Sequence, residues 1–357
     1  VRNRRPFMKF GLHYQMPCSG SQSPVQRYRD TVEQAAHAEA LGFESVWPVE
    51  QHFNPNLSII PAPLLLLSAI AERTRTLRLG IGIVLLPLSH PVRIAEEIAV
   101  LDVLSNGRVE FGIGRGAIPT HFSGYGIPQA ESRARFLEGL ELIIQAWTNE
   151  RVSFHGKFFN IDNVWVVPKP VQKPYPPIRV ASNNIETFEL MGELGYPIFA
   201  ASQVNPFKRI GELIPVYREA RRKAGHSDNG PEDVTLLSPL YVDESPEKIR
   251  QVMEPSIKQF IQTASTLYRP EDASPDVAGT RIKDFLERIR RLNYDKVCEV
   301  MAIFETPDAC VERLGRLQED YNMGRTIVWF NPGGMVPHDR VMRSMELFAA
   351  KVMPHFQ

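Results

Sequence analysis

The sequence predicts an α/β fold, a single closed parallel (β/α)8 barrel, on three observations. Eight short apolar runs alternate with segments of helical spacing along the whole chain, and no polar linker divides them. The run Leu77–Leu86 is apolar almost without a break, the pattern of a strand buried on both faces in a parallel sheet. A length of 357 residues fits one barrel of about 250 residues with insertions.

The elements follow in order. Lys9–Tyr14 is the first strand, and Gln15–Pro24 a loop of Pro, Ser and Gly. Tyr28–Leu41 has apolar residues at helical spacing and stops at Gly42. Phe43–Val49 is the second strand, ending in Glu50-Gln51-His52-Phe53, and Pro61–Arg73 is a helix. Leu77–Leu86 is the third strand. Pro91 suits the first turn of the next helix, where a missing N–H costs nothing, and Asn106-Gly107 ends it. Val109–Ile113, the fourth strand, runs into Gly114-Arg115-Gly116. Gln129–Asn149 is a helix with Phe136, Leu140, Ile143, Ile144 and Trp147 on one face. The aromatic and proline-rich segment 152–173 reads as a hairpin-like insertion. Ile178–Ala181, Pro197–Ala201, Val234–Val242 and Thr326–Phe330 complete the eight strands, with helices over Ile185–Leu194, Phe207–Ala224, from Pro246, Thr306–Leu317 and Asp339–Val352. One domain is expected over 8–357, preceded by a flexible N-terminus at 1–7. The stretch Gln262–Asn293, with Pro270, Pro275 and Gly279 amid charges, breaks the rhythm.

Composition removes several function classes. The 41 basic and 41 acidic residues balance to zero net charge with no basic run, which argues against nucleic acid as a partner. The longest apolar stretches, Ile81–Leu86 and Ile59–Ile70, are too short or interrupted to span a membrane. The basic Val1–Pro6 has no apolar core behind it, so no signal peptide is expected. Three scattered cysteines, Cys18, Cys298 and Cys310, suit a reducing cytoplasm and lack metal-ligand spacing.

In a barrel the residues after each strand meet at one mouth. Here these are His13 and Tyr14; Glu50, Gln51 and His52; Gly82 and Ile83; Arg115; Asn183 and Asn184; Ser202; and Trp329 with Asn331. An arginine between two glycines grips an anion while the backbone approaches closely. The turn from Ser182 through Asn183 and Asn184 to Thr187 opens a helix whose N–H groups point at an anion. The mixture suits a planar cofactor bearing a phosphate. No catalytic serine motif, HExxH or dinucleotide fingerprint is present. His121, Phe122 and Tyr125, after the fourth strand, are placed to face a substrate, as is Trp329.

From His90 to Gly116 the pattern HPVRxAExxxxLDxLSxGRxxxGxGRG resembles the bacterial luciferase-like family of flavin-dependent monooxygenases. The similarity extends from Met8-Lys9-Phe10-Gly11 to Val352-Met353-Pro354. The resemblance implies the same barrel, and FMN held by its phosphate at Arg115, Ser182, Asn183, Asn184 and Thr187. Glu50, Gly82, Ile83 and Gly114 complete the expected cofactor contacts, with a cis peptide at Gly82–Ile83 supporting the ring. The luciferase has two consecutive histidines after the glutamate. Gln51 stands at the first, the one with the acid/base role, and His52 at the second. His13, replacing an apolar aromatic residue, offers an imidazole that titrates near working pH. Gly114 stands at the reactive-cysteine position and is expected to leave room beside the cofactor. Segment 262–293 matches the family's long mobile loop and is expected to act as a lid.

The resemblance implies a two-component monooxygenase: reduced FMN from a separate NAD(P)H-dependent flavin reductase, O2, and a small, mostly apolar organic substrate. A homodimer is expected. The alternatives are an oxidoreductase transferring hydride with the deazaflavin F420, and a flavin-binding protein without catalysis.

Overall fold

The structure, a computed structural model, describes residues 7–20, 22–227, 229–268 and 277–357, and the side chains of all of these but 277–283. Residues 1–6 of the expected flexible N-terminus lie outside the described residues, as does 269–276 of the expected lid. The strands are β1 (Lys9–Tyr14), β2 (Ser45–Pro48), β3 (Arg78–Gly80), β4 (Val84–Leu85), β5 (Val109–Gly114), β6 (Val152–His155), β7 (Asn160–Val164), β8 (Ile178–Ala181), β9 (Ile198–Ala201), β10 (Val234–Val242), β11 (Ile303–Glu305) and β12 (Arg325–Trp329).

Eight of them close a parallel barrel in the order β12, β1, β2, β3, β5, β8, β9, β10 and back to β12. Closure is seen in the registers: Phe10 pairs with Thr326, and Thr235 with Arg325. Each barrel strand is followed by a helix that covers its outer face. Prolines open several of them, at Pro24, Pro63, Pro91 and Pro246, where the first-turn N–H has no partner to lose. The helix Pro63–Arg73 shows the packing logic: Leu66, Leu67, Ile70 and Ala71 are buried, while Leu65 faces outward.

Three features depart from the sequence expectation. The third strand is two pieces, because the chain turns at Gly82–Ile83 and resumes as β4 against β5, with Val84 opposite Ile113. β11 adds a parallel strand to the far end of β10, pairing Leu240 with Ile303. Most of the described part of the expected lid loop is helical: Pro246–Ser265 runs into it and Val277–Arg290 lies within it. The expected insertion holds the antiparallel hairpin β6–β7.

The barrel interior is filled by side chains. Trp47, Phe199, Leu237 and Ile327 form a cluster inside it, and Trp47 Nε1 donates to Ser45 Oγ at 2.9 Å. At the N-terminal end of the strands, buried Glu110 receives Arg78 at 2.7 Å, Arg325 at 2.6 Å and Arg179 at 3.2 Å. Burial alone would raise its pKa, but Arg325, Arg179 and Arg78 hold the carboxyl well below the usual range. Among the described residues no helix is long and apolar enough to cross a membrane.

Candidate active site

The C-terminal ends of the barrel strands open into one cavity of about 340 Å3, within the size range of small-molecule sites. Its anion-binding corner is built by β5 and β8. β5 ends in Gly114-Arg115-Gly116, and Gly116 has φ +76°, a turn that a side chain would disfavour. Beyond β8, Asn184 caps the helix Ile185–Leu194. Its side chain accepts the Thr187 N–H at 3.0 Å, and Thr187 Oγ1 accepts the Asn184 N–H at 3.2 Å. That reciprocal box fixes the first turn. Arg115, Asn183, Asn184 and Thr187 line the cavity. A smaller recess beside it brings Arg133 and Glu186 to Arg115 and Thr187. Two guanidinium groups at a helix N-terminus fit a phosphate monoester, with Glu186 limiting the net positive charge.

One wall is Gly82–Ile83, whose peptide bond is cis, and both residues line the cavity. Gly114 serves this wall rather than the cavity. A Cβ placed on it would stand 2.0 Å from Ile83 Cδ1, so the room expected beside a cofactor is filled by isoleucine. Ala181, Phe199, Leu237 and Trp329 make much of the remaining surface apolar.

Glu50 is the structural hinge of the polar side. Its Oε2 accepts the Leu85 N–H at 2.9 Å, tying β4 to the loop after β2. Its Oε1 lies 2.9 Å from His52 Nε2, and His52 Nδ1 lies 3.2 Å from the Tyr125 hydroxyl. Gln51 lines the cavity with its buried Oε1 lacking a partner among the described residues. His13 also lines it, and its Nδ1 is likewise unpartnered. Burial lowers the His13 pKa to about 3, against the smaller opposing effect of a hydrogen bond that the ring donates to the Trp47 backbone. The expectation of an imidazole titrating near neutral pH is therefore corrected: the barrel interior holds His13 neutral. His121 lines the cavity too and accepts the His52 N–H at 3.4 Å. Burial, and then the neighbouring His52, lower its pKa to about 4.

Several expected site residues stand elsewhere. Phe122 packs with Leu85 and Leu88 in a small apolar cluster, because its helix, Pro119–Gly124, turns it inward. Ser182 is buried and donates back to the Val180 carbonyl at 3.4 Å. His52 and Tyr125 do not line the cavity, and reach it through Glu50. Other lining residues went unread in the sequence. Phe260 from the helix Pro246–Ser265, Tyr268 just beyond its end, and Phe285 and Ile289 from the helix Val277–Arg290 also line the cavity, as a roof contributed by the expected lid and the helix leading into it. Their signal was an apolar face at helical spacing within charged sequence. Arg133 had none, being one arginine among many.

The sequence model described as luciferase-like monooxygenase matches residues 8–321. The oxygenase component of the flavin-dependent trigonelline monooxygenase of Acinetobacter baylyi is 30% identical over 251 residues, 67% of this chain and 66% of that one. Among solved structures, monooxygenase RslO1 from Streptomyces bottropensis is 27% identical, with a TM-score of 0.82 over 98% of this chain and 100% of that one. An F420-dependent secondary alcohol dehydrogenase shares the fold, with a TM-score of 0.76 at 19% identity over 98% of this chain and 99% of that one.

Proposed function

Because this chain belongs to the luciferase-like monooxygenase family, we propose that it is the oxygenase of a two-component system. It takes reduced FMN from a separate NAD(P)H-dependent flavin reductase and uses O2 to oxygenate a small, mostly apolar organic molecule. A homodimer belongs to the same reading. The observation that carries it is the anion corner of Arg115, Asn184 and Thr187, set beside an apolar cavity.

In this reading Arg115, Asn183, Asn184 and Thr187 hold the phosphate, and Arg133 adds charge from the neighbouring recess. Gly82 and Ile83 support the flat ring. Bound reduced FMN supplies the electrons that activate O2. In the same reading Phe260, Tyr268 and Phe285, which line the cavity, serve to keep water from the ring. Glu50 is the one carboxylate among the described lining residues. His52 and Tyr125 lead its hydrogen bonds outward to a phenol 46% exposed, a path for a proton from cavity to solvent. Neutral His13, neutral His121 and Gln51 offer hydrogen bonds without charge.

The test supplies chemically reduced FMN and isotope-labelled O2 with a panel of small apolar compounds. The expected result is label in one oxygenated product. Consumption of all O2 as hydrogen peroxide, with every compound untouched, would leave a flavin-binding protein without catalysis.

A further inference from the structure

The Leu85 N–H alone is enough for Glu50 to tie β4 to the loop after β2. The second carboxylate oxygen makes a bond that this tie does not need. Oε1 lies 2.9 Å from His52 Nε2, and because a carboxylate oxygen accepts, Nε2 carries the hydrogen of that bond. Nδ1 of the neutral ring is then an acceptor, and the Tyr125 hydroxyl 3.2 Å away donates to it. Burial, and then the charge of Glu50, push the Tyr125 phenol up, so it keeps the proton it donates.

The surroundings make Tyr125 the outlet of this chain. His52 is 5% exposed and set back from the cavity, whereas Tyr125 is 46% exposed. Phe53 covers the pair, its ring centre 5.6 Å from His52 and 5.4 Å from Tyr125. To do so it holds φ at +60°, a left-handed backbone that is costly for a bulky residue and that persists only where the surroundings enforce it. Gly124 supplies the room, since a Cβ there would stand 2.3 Å from Phe53 Cε2. Among the described residues, the titratable groups that meet His52 are Glu50 from its own loop, and His121 and Tyr125 from the helix Pro119–Gly124 and its cap. His121 is neutral and accepts the His52 backbone N–H.

A hydroxyl suits both charge states of an imidazole. It donates to a bare Nδ1, and it accepts from Nδ1–H once the ring is charged. We propose that Glu50 and His52 form a proton store on the cavity wall, filled from solvent through Tyr125, which acts as a positioning residue. To fill it, water gives a proton to the Tyr125 oxygen as the phenol's own proton passes to His52 Nδ1. The phenol is whole again, and the imidazolium faces Glu50 through Nε2–H, whose proton the carboxylate takes for use at the cavity. The assignment rests on the oxygenase reading, in which the second oxygen atom of O2 leaves as water and needs protons beneath the roof.

Saturation transfer from water, by NMR on protein carrying isotope-labelled histidine and free of FMN, reads how fast the His52 Nε2 hydrogen exchanges with solvent. His52→Gln identifies the signal. Tyr125→Phe, at a half-exposed position, keeps the ring and removes the hydroxyl. It is expected to slow the exchange about a hundredfold, the scale of proton transfer through a positioned side chain. Adding Phe53→Ala to that variant uncovers Nδ1 to water and should restore fast exchange, a rescue that a merely structural role of the phenol would not give. Exchange unchanged by Tyr125→Phe overturns the proposal, as does a double variant that stays slow or a neutral His52 whose hydrogen sits on Nδ1. None of these readings needs FMN. Exchange as expected in a protein that yields only hydrogen peroxide with reduced FMN supports the proton route and removes the oxygenase reading instead.

Discussion

Arg115 is the residue on which the cofactor reading turns, because a guanidinium beside a capped helix N-terminus recognises phosphate and little else in a flavin. Arg115→Ala should weaken FMN by about 1.5–3 kcal/mol, roughly 10- to 100-fold, and leave riboflavin, which lacks the phosphate, unaffected. Equal losses for both ligands, measured by fluorescence titration, would move the arginine out of the phosphate site. His13 makes a different claim. Its pKa falls from 6.5 to about 3 on burial, so the unfolded chain binds a proton that the folded chain refuses. The His13 contribution is therefore fully present above pH 6.5 and is lost as pH drops toward 3. His13→Gln should flatten the acid limb of stability between those limits, read from urea midpoints against pH. An unchanged acid limb would mean that the imidazole does not stay neutral. At this scale the sequence showed the residues and not their surroundings. Gly114 looked like space until Ile83 was seen to fill it, and His13 looked titratable until the barrel closed over it.

Among the elements, the strands are locked at the end away from the cavity. Glu110 of β5 gathers Arg78 of β3, Arg179 of β8 and Arg325 of β12, so one buried carboxylate fastens four strands. Replacing it with Gln leaves three guanidinium groups around a neutral amide, and should cost about 3–5 kcal/mol of stability. A urea midpoint that hardly moves would show that Glu44 and Glu232, which also meet these arginines, suffice without it. No periodicity announced this network, since its members are scattered along the chain and meet only through parallel pairing. The roof is the opposite case. Its apolar spacing was present in the sequence, but prolines and charges at 270–279 made 262–293 read as a loop, whereas Val277–Arg290 within it is a helix. If the roof moves to admit ligand, FMN should slow proteolytic cleavage within 262–293. Cleavage indifferent to FMN would make it a fixed wall.

Over the whole molecule, the barrel was legible because parallel strands buried on both faces carry continuous apolar runs, and helix starts carry prolines. The break of the third strand at Gly82–Ile83 and the added β11 were less so. Leu77–Leu86 is apolar on both sides of the turn, and Ile303–Glu305 is only three residues long. Exposed Leu65, Val100, Val103 and Leu104, on two helices that pack together, are consistent with the expected homodimer. Sedimentation should then give twice 40.5 kDa, and a monomer would remove that part of the account. We propose that this barrel binds reduced FMN, although the same fold serves the deazaflavin F420 in a protein of similar structure. Anaerobic equilibrium dialysis of the protein against reduced FMN and reduced F420 side by side tests it most directly. Reduced FMN is expected to be retained with roughly micromolar affinity, and F420 is not. Retention of F420 with FMN passing freely would contradict it.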